Sequence, residues 1–585
     1  MSRAHLRRAI EVCTRSVDAA RCGNSVATRV GVLALALISM GVSSCRDARP
    51  GPAGSRFHAS IPQNGKRKVD ILFVSDNSGS MMVSTWEWCS GGAFGAIGQF
   101  SEEFNIHVGV VSTNLGSGTA NVDYCGSGDG GVLGTFGSWD SAAYCLGSGR
   151  RFLIETEPVD CTIERLSTPP GACAEHDCTQ DSCDAVTGEP ETLSLREFSM
   201  CPRCANYQAG SSLSMGTDCM VRPGPPGCGF TQPLEAMRLA LDRNPANVGF
   251  LRQDAHLLVV FITDEDDCSV GNAAFWDTEQ DSMDAPLGYF SSYRCFEFGV
   301  TCDINDRTHE GERNDCRPRD DPDALLYPIS RYADFLRELK DPQMLTLAAT
   351  AGPVEGGTVT VRRDSLDRPT VFSNGSAPGI RIRSLLQAFH DEFDLAWAYQ
   401  SVEMACWGFF SDVADSVARR LLENDCLPKP LAGCPDPGVE QGTPQAAVPC
   451  GTNSRCLARC EVTDVRRRGT AEETRVELPA CLSVQPDGTV DQRNYFKELA
   501  YQGGYPAERD GELPVDACWS IIYDLICNAS RGAALRVSRR VDPPPRTFVE
   551  VTCDALSDVE TECKNGRDDD EDCLVDLDDP DCGAR

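Results

Sequence analysis

The sequence predicts an α/β fold, a doubly wound and mostly parallel sheet flanked by helices, and three observations carry that expectation. Val69–Val74, His256–Thr263 and Met344–Thr350 are nearly unbroken apolar runs, the composition of strands covered on both faces. Segments with helical spacing of apolar residues, at Thr231–Leu241, Tyr327–Leu339 and Ser411–Leu422, alternate with them. Strands that alternate with helices build parallel sheets through crossovers, whereas runs of strands alone do not.

Taken in chain order, the elements begin with a leader. Arg7, Arg8, Arg15, Arg21 and Arg29 precede the apolar run Val30–Val42, which is too short to span a bilayer as a mature helix. The run ends in Val42-Ser43-Ser44-Cys45, which resembles the lipobox of bacterial lipoproteins. That resemblance implies a signal peptide over 1–44, a lipidated Cys45 as mature first residue, and attachment to the cell envelope through lipid, with the outer membrane or cell surface the expected site. The alternative is an ordinary signal peptide with an incidental cysteine. The 31 cysteines of the 585-residue chain point to an oxidising compartment. With Cys13, Cys22 and Cys45 set aside, an even number remains for disulfides.

Residues 46–68 are rich in Pro, Gly and Ser without periodicity and read as a flexible tether, roughly 25–30 Å in reach. The α/β domain is expected over 69–425. Its first strand is Val69–Val74 and its second is Ile106–Ser112. Leu115–Cys228 interrupts it with ten cysteines, and Cys268–Pro322 with four; both counts are even, so each insertion can be stapled internally. Thr231 and Pro233 suit the start of the helix that follows the first insertion. Residues 426–562 read as a small cysteine-rich β module, with a candidate strand pair at Ala534–Arg539 and Thr547–Cys553, and 563–585 as an acidic tail.

A formal charge of −33 repels phosphate backbones, so nucleic acid is excluded as a partner. Chemistry concentrates instead where the first strand ends. Asp76, Ser78 and Ser80 place an oxygen at every second position of the loop leaving it. In doubly wound sheets ligands bind beyond the carboxyl ends of the strands, and a carboxylate with two hydroxyls is a hard-oxygen set suited to Mg2+ or Mn2+. Thr231 and Asp264, at the helix start and at the end of His256–Thr263, offer further oxygens.

Asp76-x-Ser78-x-Ser80, a later threonine and Thr263-Asp264 resemble the metal-ion-dependent adhesion site of von Willebrand factor A domains. The resemblance covers roughly 66–264 and 322–424 without the insertions. It implies a Mg2+ (or Mn2+) ion with Ser78 and Ser80 as direct ligands, Asp76 and Asp264 acting through water, and Thr231 as a third-loop oxygen, with Thr113 a competitor for that place. It further implies a protein partner whose carboxylate completes the shell, and a binding role rather than catalysis. The run Asp264-Glu265-Asp266-Asp267 is expected to be a solvated loop clipped by Cys268, a second ion being the alternative.

In the tail, Asp568, Asp570, Asp572, Asp576 and Asp579 are similar to calcium-binding aspartate repeats, which implies Ca2+. Cys573 stands where such loops carry glycine. Gly126–Gly131 spells GxGxxG but follows no strand and opens no helix. Cys201 and Cys204 read as structural disulfide partners, His176 as exposed loop, and His107 and His256 as sheet-edge residues. Two rival functions stand beside adhesion: a secreted hydrolase with its site in the C-terminal module or insertions, and a passive envelope or spore-coat component.

Overall fold

Alternation along the first strand sets up the layers. Val69, Ile71 and Phe73 face one core and Leu72 and Val74 the other, and all five are buried, as successive side chains of a strand must point to opposite faces. The computed structural model describes residues 56–63, 67–81, 226–354, 357–372, 375–393, 397–402, 407–429, 460–479 and 543–555, most of 104–221, and shorter pieces between 483 and 539. The leader 1–44, Cys45 and the tail aspartates Asp568, Asp570, Asp572, Asp576 and Asp579 lie outside the described residues.

The strands of the two larger sheets are β1 (Arg56–Pro62), β2 (Lys68–Ser75), β3 (Asn105–Ser112), β4 (Leu153–Thr156), β5 (Ser194–Glu197), β6 (Pro202–Ala205), β7 (His256–Ile262), β8 (Leu345–Ala351), β9 (Trp397–Ser401), β10 (Cys460–Arg466), β11 (Thr474–Glu477) and β14 (Phe548–Asp554), with a separate hairpin of β12 (Ala517–Tyr523) and β13 (Ala533–Arg539). The main sheet has eight strands in the order β9-β8-β7-β2-β3-β4-β6-β5. Pairings from β9 to β3 are parallel, and those from β3 to β5 antiparallel. Among the described residues there are seven α-helices: α1 (Gln180–Asp184), α2 (Leu213–Val221), α3 (Pro233–Leu241), α4 (Tyr293–Gly299), α5 (Ile329–Leu339), α6 (Ile380–Phe393) and α7 (Trp407–Leu422).

With β5 and β6 left out, β4-β3-β2-β7-β8-β9 reads 3-2-1-4-5-6 in chain order. In that order the chain reverses direction across the sheet between its first and fourth strands, β2 and β7, and doubly wound sheets bind ligands beyond the carboxyl ends of strands at such a point. Phe409, Phe410, Val413, Val417 and Leu421 of α7 close one face. Leu234 and Met237 of α3, Tyr332 and Leu336 of α5, and Ile382, Leu385 and Phe389 of α6 close the other.

The first insertion builds more than loops, because it supplies β4, β6 and β5, the antiparallel half of the sheet. Its ten cysteines pair among themselves, as Cys125–Cys228, Cys145–Cys219, Cys161–Cys178, Cys173–Cys201 and Cys183–Cys204. The four of the second insertion pair as Cys268–Cys295 and Cys302–Cys316.

Three expectations are corrected here. Residues 56–62 are no tether: they form β1 and pair with β14 along their whole length. The signal was in the sequence, since Phe57, Ala59 and Ile61 alternate with Arg56, His58 and Ser60 and turn into the module's core. The proposed pair Ala534–Arg539 with Thr547–Cys553 does not form. β13 pairs with β12, while β14 lies between β1 and β10. With β1 taking one edge of β14 and β10 the other, no edge remains for β13. Nor are His107 and His256 edge residues: both are fully buried on interior strands, with His107 bonded to Phe250 O (2.8 Å) and Glu189 Oε2 (2.7 Å) and His256 to Thr346 Oγ1 (2.9 Å).

The β module thus draws its strands from both ends of the α/β domain. Arg468 of the module binds Asp341 with two nitrogens (2.8 and 3.0 Å), and Arg546 donates to Arg337 O (2.6 Å), at the amino-terminal end of β8. Removal of residues 56–62 is expected to leave one edge of β14 bare and to make 460–555 protease-sensitive; limited proteolysis followed by mass spectrometry checks this.

Candidate functional site

Three connections meet where β2 and β7 end. The loop after β2 stays in register with its neighbour, Asp76 N donating to Ile262 O (2.9 Å). Asp76 then folds the turn by accepting Ser78 N on Oδ1 (2.7 Å), as aspartates do in Asx turns. Its Oδ2 accepts Thr263 Oγ1 (2.6 Å), which ties this loop to the one leaving β7. Ser78 Oγ and Ser80 Oγ are 3.0 Å apart, and Ser80 Oγ donates to Asp264 Oδ1 at 3.2 Å. Asp76, Ser78, Ser80 and Asp264 therefore form one hydrogen-bonded chain, joined at Asp76 through the Ser78 amide.

Thr231 reaches the same corner from the third connection. It is fully buried, and its hydroxyl contacts the loop leaving β7 rather than the serines, donating to Asp266 O (3.3 Å) and bonding the Glu265 carboxylate. Thr113 sits beside it at the end of β3, with a buried Oγ1 that has no partner. The backbone joins the two, Gln232 N donating to Thr113 O (3.0 Å).

The electrostatics of the cluster are unbalanced. Burial pushes Asp264 up to about 8, helped by the charge of Asp76 beside it. Burial also raises Asp76, against the lowering effect of its bonds from Thr263 and Ser78. Glu265 is lifted well above the usual carboxylate range by burial and then by Asp76 and Asp264. Asp264 Oδ2 is buried without a hydrogen-bond partner. Like charges gathered out of water hold protons unless a cation compensates them.

The residues fit a small divalent cation on those grounds: hard oxygens only, two hydroxyls, and an orphaned carboxylate oxygen inside the cluster. Among the described residues no three His, Cys, Asp or Glu side chains are arranged to hold a metal by themselves, so the hydroxyls of Ser78 and Ser80 would have to complete the shell.

The acidic run after β7 departs from expectation. Asp266 and Asp267 are structural, not a solvated loop. Asp266 accepts Arg381 N on both oxygens (3.0 Å each) and Ile382 N (3.3 Å), capping α6. Asp267 is fully buried and takes Leu234 N at the start of α3 (3.1 Å), Ser269 Oγ (2.5 Å) and Arg381 Nε (3.0 Å). Burial still lifts Asp266 to about 7, with the α6 backbone opposing. The sequence showed four adjacent acids; it did not show that two helices would start against them.

Elsewhere the candidate motifs dissolve into packing. Gly128 lies at φ +73, and a Cβ there would come within 2.1 Å of the Leu115 carbonyl carbon, so the glycine-rich run serves a tight chain crossing. Cys201 and Cys204 bond to separate partners, Cys173 and Cys183. His176 is exposed at the end of a short strand.

No protein-family model matches the chain, and no curated protein matches it in sequence. Solved structures that resemble it include a von Willebrand factor type A protein from Catenulispora acidiphila, at 7% identity over 87% of this chain and 66% of that one, with a TM-score of 0.24. The pilus adhesin SpaC from Lactobacillus rhamnosus GG matches at 10% identity, 86% and 41% coverage, and a TM-score of 0.26. The adhesive tip pilin GBS104 from Group B Streptococcus agalactiae matches at 8%, 87% and 84%, with a TM-score of 0.23. The chain spans 66% of the first of these proteins and 41% of the second.

Proposed function

We propose that this protein is a cell-surface adhesion or interaction protein that binds a partner's carboxylate through a Mg2+ or Mn2+ ion held by Ser78, Ser80, Asp76 and Asp264, with Thr231 from the third loop. The observation that carries the reading is the buried Asp264, whose Oδ2 has no partner in a cluster already holding Asp76 and the two serine hydroxyls. When bound, the ion supplies Lewis acidity and a coordination position that an incoming carboxylate can take. The protein's own groups hold and aim: Asp76 fixes the turn that presents both serines, and Thr263 locks Asp76. The role is one of binding; the rival secreted hydrolase would need a nucleophile and a base held together in the C-terminal module or the insertions.

Attachment through a lipid on Cys45 and Ca2+ binding by Asp568, Asp570, Asp572, Asp576 and Asp579 belong to the same proposal. The pairing of described cysteines into nine disulfides suits an exported chain. The β module joins the amino-terminal end of the parallel strands, so the cluster sits at the pole away from it.

The test is affinity capture from the envelope surface of neighbouring cells or host matrix with the purified ectodomain. Partners retained in Mg2+ should be released by EDTA and absent with the Ser78→Ala/Ser80→Ala variant. Partners that persist in EDTA and on that variant would contradict the proposal.

A further inference from the structure

The first insertion returns to the α/β domain through Gly227–Thr231, and its first residue touches the loop that carries Asp76, Ser78 and Ser80. Gly227 N donates to Asn77 O at 2.6 Å. A Cβ at position 227 would lie 2.2 Å from Asn77 Oδ1, 2.4 Å from Cγ and 2.5 Å from Nδ2, far inside contact distance. Asn77 is 1% exposed and stands between Asp76 and Ser78, so its side chain has no route into solvent.

The other side of the contact is equally fixed. Cys228 is fully buried and bonded to Cys125, and three residues on Thr231 O accepts Cys268 N (2.8 Å), next to the Cys268–Cys295 bond. The two disulfides thus bracket the segment from both insertions, and it cannot back away from Asn77.

We infer that Gly227 is a positioning residue for the ion cluster: its bare Cα lets the insertion clamp the Asn77 backbone and so holds Ser78 and Ser80 in place. This rests on the ion-binding reading above. The Asn77 amide contributes volume rather than bonding, because Oδ1 and Nδ2 are both buried without a hydrogen-bond partner. Trimming that side chain therefore loses no hydrogen bond and opens room for a methyl group at 227. Asn77, although it lies inside the motif, is dispensable for the ion, while Gly227, more than a hundred residues away, is not.

The experiment compares the ectodomain with its Gly227→Ala, Asn77→Ala and double variants. Mg2+ affinity is read by calorimetry and the melting temperature in EDTA by scanning calorimetry. Misplacing a ligand's support weakens metal binding about 10–100-fold, and that loss is expected for Gly227→Ala. Asn77→Ala should bind like the wild type, and the double variant should recover most of the loss. A general packing defect would lower the melting temperature without this pattern of loss and rescue. Should Gly227→Ala fail to fold, Asn77→Gln presses on the same contact from the other side and is expected to weaken Mg2+ binding similarly. Wild-type affinity in Gly227→Ala, or a loss that Asn77→Ala does not repair, overturns the inference while leaving the ion reading intact. A wild type that takes up neither Mg2+ nor Mn2+ overturns the ion reading, and this inference with it.

Discussion

Asp264→Asn is expected to weaken Mg2+ binding by at least about 100-fold, the upper end of the range for disturbed metal shells, while making the ion-free protein more resistant to unfolding above neutral pH. The two effects share one cause. Asp264 is buried beside Asp76 and lacks a partner for Oδ2, so its charged form is unfavourable until a cation arrives. Its folded pKa of about 8 stands above the ordinary 3.8. A carboxyl raised in this way binds more protons folded than unfolded between those values, so the ion-free protein loses stability as pH rises from about 4 to 8. Asparagine removes that contribution to the slope along with the ion's anchor. Wild-type Mg2+ affinity should correspondingly strengthen with pH up to about 8, as the competing proton leaves. At 100 times the dissociation constant, Mg2+ should stabilise the wild type by about 2.7 kcal/mol and the variant hardly at all. Thermal melts at pH 5, 7 and 8.5, with EDTA or Mg2+, read every arm of this prediction.

Arg381→Met is expected to cost about 3–5 kcal/mol of stability, the range for removing one partner of a buried ion pair. Arg381 and Asp267 are both fully buried, 3.0 Å apart. The guanidinium also donates to Gly299 O (3.2 Å) and Tyr327 O (2.7 Å); its loss strands Asp267 Oδ2 and Tyr327 O, while Gly299 O keeps the Arg319 N–H (2.9 Å). Those contacts join the second insertion, the entry to α5 and the start of α6. The double variant Arg381→Met/Asp267→Leu should recover part of the loss, because it removes the uncompensated carboxylate as well. Chemical denaturation of the wild type, Arg381→Met, Asp267→Leu and the double variant measures the coupling. A single variant within about 0.5 kcal/mol of wild type would show that the pair is not the tie described.

How much of this was legible beforehand follows from what each element depends on. β2, β3, β7 and β8 announced themselves, because strands covered on both faces carry long apolar runs, and their observed limits differ from the expected ones by a residue or two. α7 starts at Trp407, ahead of the expected Ser411, since Phe409 and Phe410 belong to the core it covers. The convergence of Asp76, Ser78, Ser80 and Asp264 was legible too, as it needs only the ends of neighbouring strands. What the sequence hid was non-local. β1 finds its partner almost five hundred residues away in β14, and the insertion strands β4, β6 and β5 are short enough for cysteines and glycines to mask their period. Asp266 and Asp267 looked like solvated charge because their partners, the starts of α3 and α6, lie about 30 and 115 residues off.

The most direct test of the central claim is a crystal of the ectodomain soaked in Mn2+ and measured for anomalous scattering. A single strong peak is expected among Ser78 Oγ, Ser80 Oγ and Asp264, with hydroxyl oxygens roughly 2.1–2.2 Å from the metal, since Mn2+ takes the hard-oxygen sites of Mg2+, which binds at about 2.0–2.1 Å. A fully soaked crystal with no peak there, or with manganese only elsewhere on the surface, would contradict that claim.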